Sequence, residues 1–198
     1  MSHLAESILS TARSIPEGGL LSPKEFLHLA SRAAIDKTLS RLAQEGALMR
    51  VSRGAYVIPH QGRFGTRPPS TESVLRAIEV RCGESVVANG AAEANALGLT
   101  TQTPTREVFF TSGRSRTMQL GNRTIELKHG SRWQLVLGRR PAGMVIRALS
   151  WLGPQAAPAA LKQLRSTLPE SEWEALRSSC ALLPSWMAKV VGEAMAYG

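Results

Sequence analysis

The chain has 198 residues, of which 43% are apolar, and a formal net charge of +9 at pH 7. That length suits one large domain, or a small one beside a medium one, and the apolar share is enough for a core, which argues against wholesale disorder. A chain this basic commonly meets a polyanion, most often nucleic acid, although an inert basic surface would carry the same charge.

Leu4, Ile8 and Leu9 recur at helical spacing and predict a first helix that ends before Ile15-Pro16. Glu17-Gly18-Gly19 is a turn. In Ser22-Pro23-Lys24-Glu25, Ser22 can cap a helix start, Pro23 suits the first helical position and Glu25 can bond back. This predicts a short second helix with Phe26, Leu27 and Ala30 inward. Ser31 then caps a third helix running to about Glu45, and Gly46 ends it. Ile35, Thr38, Leu39 and Leu42 fall on its inner face; Arg32, Ala33, Asp36, Lys37, Ser40 and Arg41 fall outside.

A short helix, a tight turn and a longer helix with small and basic outward residues is the helix-turn-helix arrangement, which can lay its second helix in the DNA major groove. An ordinary amphipathic helix with a solvated face has the same pattern. The residues that follow discriminate. Leu48-Met49-Arg50-Val51 and Ala55-Tyr56-Val57-Ile58 are β-prone runs joined by Ser52-Arg53-Gly54, and Pro59 ends the second. A hairpin directly after the third helix is the wing of a winged helix. Arg53 at its tip and Arg50 beside it are placed for phosphate or minor-groove contact.

Residues 61–69 are rich in Gly, Pro and Arg and read as a linker. Beyond them, residues 70–80 are predicted helical with Val74, Leu75 and Ile78 inward, Val86-Val87-Ala88 is a strand, and residues 91–97 are a helix closed by Gly98. Strands follow at residues 107–111, 116–120 and 123–128, the last two joined by a Gly121-Asn122 turn, and then a helix at residues 143–152. After Gly153-Pro154 the chain reads as helical: Leu161, Leu164 and Leu168 share a face, Ser171-Glu172-Trp173-Glu174 has a capping-box pattern, and Trp186, Met187, Val190, Val191 and Ala194 mark a last amphipathic helix with Trp186 in the core. The fold class is therefore α+β: a winged helix-turn-helix over residues 1–60, a linker over 61–69, and a small α+β domain with antiparallel strands and a helical tail over 70–198.

Charge is uneven. Residues 1–66 carry a net +3, residues 67–150 a net +6 and residues 151–198 a net of zero. In the middle block Arg114, Arg116, Arg123, Lys128, Arg132, Arg139, Arg140 and Arg147 face little acid in sequence. Arg114, Arg116, Arg123 and Lys128 are expected to form a second basic surface, with the Thr111–Arg116 loop the better place for an anion because Arg123, Ile125 and Leu127 share one strand face and Thr124, Glu126 and Lys128 the other.

Catalytic patterns are missing: there is no G-x-S-x-G elbow, no phosphate-binding Gly loop and no H-E-x-x-H. The four His residues stand alone, and His129 reads as a surface or hydrogen-bonded residue. No enzyme activity, cofactor or metal is expected. Cys82 and Cys180 have no partner at ligand spacing and read as buried small residues in a reducing compartment. Residues 1–14 lack a continuous apolar run, so no signal peptide is expected, and no run is long enough to span a membrane. The expected location is the cytoplasm.

These residues resemble the AbiEi-type antitoxins, the DNA-binding members of type IV toxin–antitoxin pairs. The resemblance rests on three segment sets: residues 34–42 leading through Gly46 to residues 53–59; Pro68-Pro69-Ser70 with residues 89–92 and 97–102; and residues 111–116 with residues 121–125 and Lys128-His129. Together they cover about residues 20–150; no motif is recognised after Leu152. The resemblance implies a winged helix that binds operator DNA and represses its own promoter. It also implies a C-terminal domain that counters a nucleotidyltransferase-like toxin without a stable complex. The expected partners are double-stranded operator DNA, that toxin and, on DNA, a second copy of the chain; no membrane partner is expected. A stand-alone winged-helix regulator, a basic module that binds an acidic protein, and a nucleic-acid-processing enzyme that docks through the winged helix are the competing readings. The enzyme would need clustered carboxylates or a metal site.

Overall fold

In the computed structural model, residues 3–63 and 65–196 are described. In chain order they form α1 (His3–Ser14), a 3-10 turn (Pro23–Phe26), α2 (Arg32–Gln44), β1 (Met49–Ser52), β2 (Ala55–Val57), β3 (His60–Gly62), β4 (Gly65–Arg67), α3 (Thr71–Cys82), β5 (Val86–Ala88) and α4 (Gly90–Ala96). Then come β6 (Glu107–Thr111), β7 (Arg116–Leu120), β8 (Arg123–His129), α5 (Arg132–Leu135), α6 (Pro141–Leu152), α7 (Ala157–Leu164), α8 (Glu170–Ser179), a 3-10 turn (Cys180–Leu182) and α9 (Ser185–Ala196). The fold is α+β with small antiparallel sheets. β1 pairs with β2, β3 with β4, and four strands run in the order β5-β6-β8-β7. Two compact units emerge: Met1–Glu84 with Arg116–Glu126, and Ser85–Ser115 with Leu127–Gly198.

In the first unit, α1 buries Ala5, Ile8, Leu9 and Ala12, the stripe that its 3.6-residue period puts on one side. α2 buries Ile35, Leu39 and Leu42 against them, with Leu21, Phe26, Leu48 and Tyr56 completing the core. Each such side chain contributes roughly 1.5–3 kcal/mol on burial. Ser31 accepts a hydrogen bond from the Ala34 amide at 3.4 Å, and Gly46 takes φ +74° just beyond α2, as the sequence predicts. The predicted second helix is only a 3-10 turn. Its capping box forms, with the Ser22 amide donating to Glu25 at 2.6 Å. Four residues offer too few i→i−4 bonds to offset helix nucleation, and Leu27 is left 50% exposed instead of inward.

The predicted linker at 61–69 carries the β3–β4 hairpin, and α3 belongs to the first unit instead of opening the second. Gly18 explains the second point. It has φ +79°, and a Cβ there would lie 2.5 Å from the Ser73 carbonyl carbon, so the turn after α1 presses on the backbone at the start of α3. From the other end of α3, Arg81 holds the Leu20 carbonyl and the Glu25 carboxylate.

In the second unit α4 and α6 touch through Gly90, where a Cβ would lie 2.3 Å from the Arg147 carbonyl oxygen and 2.7 Å from the Trp151 Cβ. One turn on, the buried Arg147 donates from Nη2 and Nε to Glu93 Oε1 at 2.7 and 3.0 Å, and from Nη1 to the Gln134 carbonyl at 3.3 Å. Burial raises the Glu93 pKa and lowers that of Arg147; the pair itself opposes both shifts. α6, α7, α8 and α9 enclose a core around Val145, Ile146, Leu149, Leu161, Trp173 and Met187, and Trp186 packs against it half-buried. The Arg165 guanidinium lies 5.0 Å from the Trp173 ring centroid.

Three further expectations change. Ser171 caps nothing: α8 starts at Glu170 after Pro169, with no side-chain cap. Glu172 turns instead to the start of α6, accepting from the Ala142 amide and from Arg140 Nη2, both at 2.9 Å. That amide is one of the unpaired donors of a helix N-terminus, and both contacts hold the Glu172 carboxyl below the usual range. Cys82 is exposed and Cys180 half-buried, both as free thiols, because Cys82 closes the outer side of α3, leaving its inner face to Val74, Leu75 and Ile78. Leu168 lies past the end of α7 but still packs on the core.

Two outcomes check this packing. Gly90→Ala lowers stability by about 1–3 kcal/mol through overpacking, whereas Gly192→Ala, in α9 with nothing within 4 Å of the new methyl, raises it; urea midpoints report both. The Glu172 contribution is present above the ordinary carboxylate pKa and is lost as pH falls through its depressed value. The urea midpoints of wild type and Glu172→Gln therefore differ at neutral pH and converge in acid.

Candidate nucleic-acid interface

The outer face of α2 and the β1–β2 hairpin present the cations that the sequence singles out. Arg32, Ala33, Lys37, Ser40 and Arg41 are exposed on α2 and Asp36 is half-buried. Arg32 pairs with Asp36 at 2.9 Å and Arg41 with Glu45 at 3.0 Å, each across one helical turn with both side chains about half exposed. Such pairs are worth only about 0.3–0.5 kcal/mol, so either guanidinium can exchange its carboxylate for a phosphate. Among the described residues no carboxylate pairs with Lys37.

The hairpin turns at Arg53-Gly54, with Gly54 at φ +71°. Its register runs Met49↔Val57, Arg50↔Tyr56 and Ser52↔Ala55, which leaves Val51 as an extra residue on β1. That bulge lets Val51 point inward at 2% exposure while Arg50 and Arg53 stay outside. Arg50 Nε reaches the Ser52 carbonyl at 3.4 Å, so it lies along the hairpin toward the turn. On the far edge of β2, Tyr56 exchanges both backbone bonds with Leu21, at 2.8 and 3.0 Å. This bridge has no signal in the sequence except the isolated apolar pair Leu20-Leu21 between two turns. Together α2, its C-cap and the hairpin carry Arg32, Lys37, Arg41, Arg50 and Arg53 beside two carboxylates, Asp36 and Glu45.

Two members of the second basic set, Arg116 and Arg123, are engaged inside the first unit. Arg116 is tied to Glu84 at 2.9 Å, and Arg123 donates to Thr71 Oγ1 at 3.1 Å and to the Pro69 carbonyl at 3.4 Å, all within the first unit. Arg114 and Lys128 are exposed in the second unit. Arg140 is paired with Glu172, and Arg147 is buried on Glu93, so the middle block faces more acid than its sequence suggests. The Arg114 loop is held by its own hydroxyls. Thr111 accepts from the Gly113 amide at 3.0 Å, Ser112 from the Ser85 amide at 2.9 Å and Ser115 from the His129 amide at 2.9 Å. His129 is exposed, with Nδ1 2.9 Å from the Gly113 carbonyl.

Residues 7–175 match the model of a family of unknown function (DUF6088), and the chain belongs to that family. The crystal structure of the RV2827C protein from Mycobacterium tuberculosis is similar over 99% of this chain and 77% of that one, with a TM-score of 0.54 and 14% identity, a likeness of fold alone. No curated protein matches the chain. No helix of the described residues is long and apolar enough to cross a membrane.

Because both α2 ion pairs are solvated, Asp36→Ala and Glu45→Ala are each expected to change unfolding free energy by less than about 0.5 kcal/mol, measured by urea denaturation. A loss several times larger in either variant would mean that the pair holds the helix and is not available for exchange.

Proposed function

We propose that this member of the DUF6088 family is a DNA-binding antitoxin. In this reading residues 1–60 form a winged helix-turn-helix on operator DNA, the chain represses its own promoter, and it counters a nucleotidyltransferase-like toxin of the same system. It acts in the cytoplasm and carries out no catalysis. The observation that carries the DNA-binding part is the Leu21–Tyr56 bridge. A residue between the first helix and the helix-turn-helix pairs with the returning strand of the hairpin, so the hairpin is fixed to the helical core that carries α2. α2 then supplies base contacts through Lys37 and Arg41, and Arg53 at the wing tip touches backbone or minor groove.

The antitoxin part is supported by the resemblance in residues 111–116 and 121–125 and by the ordered Arg114 loop, which offers an exposed guanidinium on a fixed backbone. In this reading Arg114, with Lys128, either extends the DNA footprint or meets the nucleic-acid substrate of the toxin. Arg116 and Arg123 serve chiefly to tie strands to α3 and its flanks.

The test uses the full chain, because α3 belongs to the same unit as residues 1–60. In gel shifts with the chain's own promoter, Lys37→Ala and Arg41→Ala weaken binding by about 1–3 kcal/mol each. Arg53→Ala lowers affinity for all duplexes alike and flattens the salt slope by about one unit. Unchanged affinity in all three moves recognition elsewhere. An Arg114→Ala, Lys128→Ala variant that still represses but no longer protects cells expressing the toxin supports the antitoxin role; full protection removes these residues from it.

A further inference from the structure

Residues 46–71 contain four arginines and one histidine and no lysine, aspartate or glutamate. The structure folds this stretch into two consecutive hairpins, β1–β2 and β3–β4, joined by Ile58-Pro59. The first has an evident core function, since Val51, Tyr56 and Val57 are buried. The second has none: all six of its strand residues are exposed.

A lone two-stranded hairpin is marginal in water, and among its described residues none is buried. Its strands pair His60↔Arg67, Gln61↔Thr66 and Gly62↔Gly65, with a cross-strand bond from Thr66 Oγ1 to Gln61 Oε1 at 2.9 Å. The register puts Arg63 in the turn, exposed, with no carboxylate paired to it among the described residues. Among the described residues Arg67 is paired with Glu17 alone, at 3.9 Å with both side chains about half exposed. Thr66 of this hairpin lines the same open groove, of about 480 Å³, as Ser40 and Gln44 of α2 and Arg50 of β1. The hairpin therefore stands beside the C-terminal end of α2, and its arginines are of the type that grips phosphate bidentately.

We propose that the β3–β4 hairpin is a second arginine-tipped arm, which holds the phosphate backbone of duplex DNA next to α2 through Arg63 and Arg67. This rests on the DNA-binding reading above and adds a contact that neither the helix-turn-helix nor the first hairpin supplies. The arm reads no bases. It adds affinity and salt dependence equally to every duplex, because each phosphate neutralised releases counterions.

The experiment measures fluorescence anisotropy of two labelled duplexes, the chain's own promoter and a scrambled sequence, from about 50 to 200 mM salt, with the full chain and an Arg63→Ala, Arg67→Ala variant. The variant is expected to keep the wild-type thermal midpoint, to bind both duplexes about tenfold more weakly at the low-salt end, and to lose about 1.8 from the log–log salt slope, roughly 0.9 per arginine. Arg63→Lys, Arg67→Lys restores most of the slope. Unchanged affinity and slope, in a preparation where Lys37→Ala still weakens promoter binding, overturns the arm and leaves the DNA reading intact. Loss confined to the promoter duplex also overturns it, because the hairpin would then be reading bases. A wild-type chain that binds neither duplex removes the DNA reading and the arm with it.

Discussion

Two backbone hydrogen bonds, between Leu21 and Tyr56, set the geometry of the first unit. Each hairpin strand is only three or four residues long, too short to hold an orientation alone. The bridge adds a third edge and ties the hairpin to the segment between α1 and the 3-10 turn. Leu21 is 1% exposed and Tyr56 4%, so the bonds are shielded from water and cannot exchange with it cheaply. Around the same residues, Gly18 presses on the start of α3 and Arg81 reaches back to Leu20 and Glu25. The segment at 18–25 is thus where hairpin, α2 and α3 are locked into one body, although it has almost no regular structure of its own.

Electrostatics divides along a different line from composition. By sequence the middle of the chain is the more basic part. In the structure several of its arginines are spent internally: Arg147 lies buried on Glu93, Arg140 sits on Glu172, Arg116 on Glu84, and Arg123 holds Thr71 and the Pro69 carbonyl. A guanidinium with five donors is well suited to this, since one side chain can satisfy carbonyls and carboxylates from two segments at once. The cations of residues 46–71 are different. Their acid-free sequence leaves them no local partner, and among the described residues the one carboxylate that reaches any of them, Glu17, stands at 3.9 Å. Net charge per block counted both kinds alike; only pairing separates structural arginines from those that keep their field in solvent.

Most elements were legible from the sequence because their signals are local. Caps at Ser22 and Ser31 form, strands at residues 86–88 and 107–111 lie where β-branched and aromatic residues cluster, and Gly121 turns the β7–β8 hairpin at φ +63°. What failed had a non-local cause. The Ser171 box pattern is overridden because Pro169 already starts α8 and Glu172 finds a better partner in the open amide of Ala142. Residues 61–69 look like linker because they are rich in Gly, Pro and Arg, and strands whose residues are all exposed write no alternating pattern. In the candidate interface, the outward residues of α2 and the Arg53 turn could be read from period and turn chemistry alone. The Leu21 bridge could not, since a single residue pair thirty-five positions apart leaves no period to detect.

The interior of the second unit is organised around a buried ion pair. A buried ion pair is usually a weak source of stability, because desolvation of both charges offsets much of their attraction. Glu93 and Arg147 are held together nonetheless by geometry: Gly90 lets α4 approach α6 so closely that the carboxylate on one helix and the guanidinium on the other have no solvent between them. Breaking either partner would strand a buried charge, at about 3–5 kcal/mol, whereas the gain from keeping both is modest. Such a pair specifies which two helices meet, and in what register, more than it stabilises them. The requirement runs in both directions: without glycine at 90 the ions cannot meet, and without the ions nothing polar selects that contact over another apolar one. The loop that presents Arg114 sits in this same unit, fastened by Thr111, Ser112 and Ser115. Its exposed guanidinium is therefore carried by a backbone whose position is decided before any partner arrives, which is the condition under which a surface cation loses least entropy on binding.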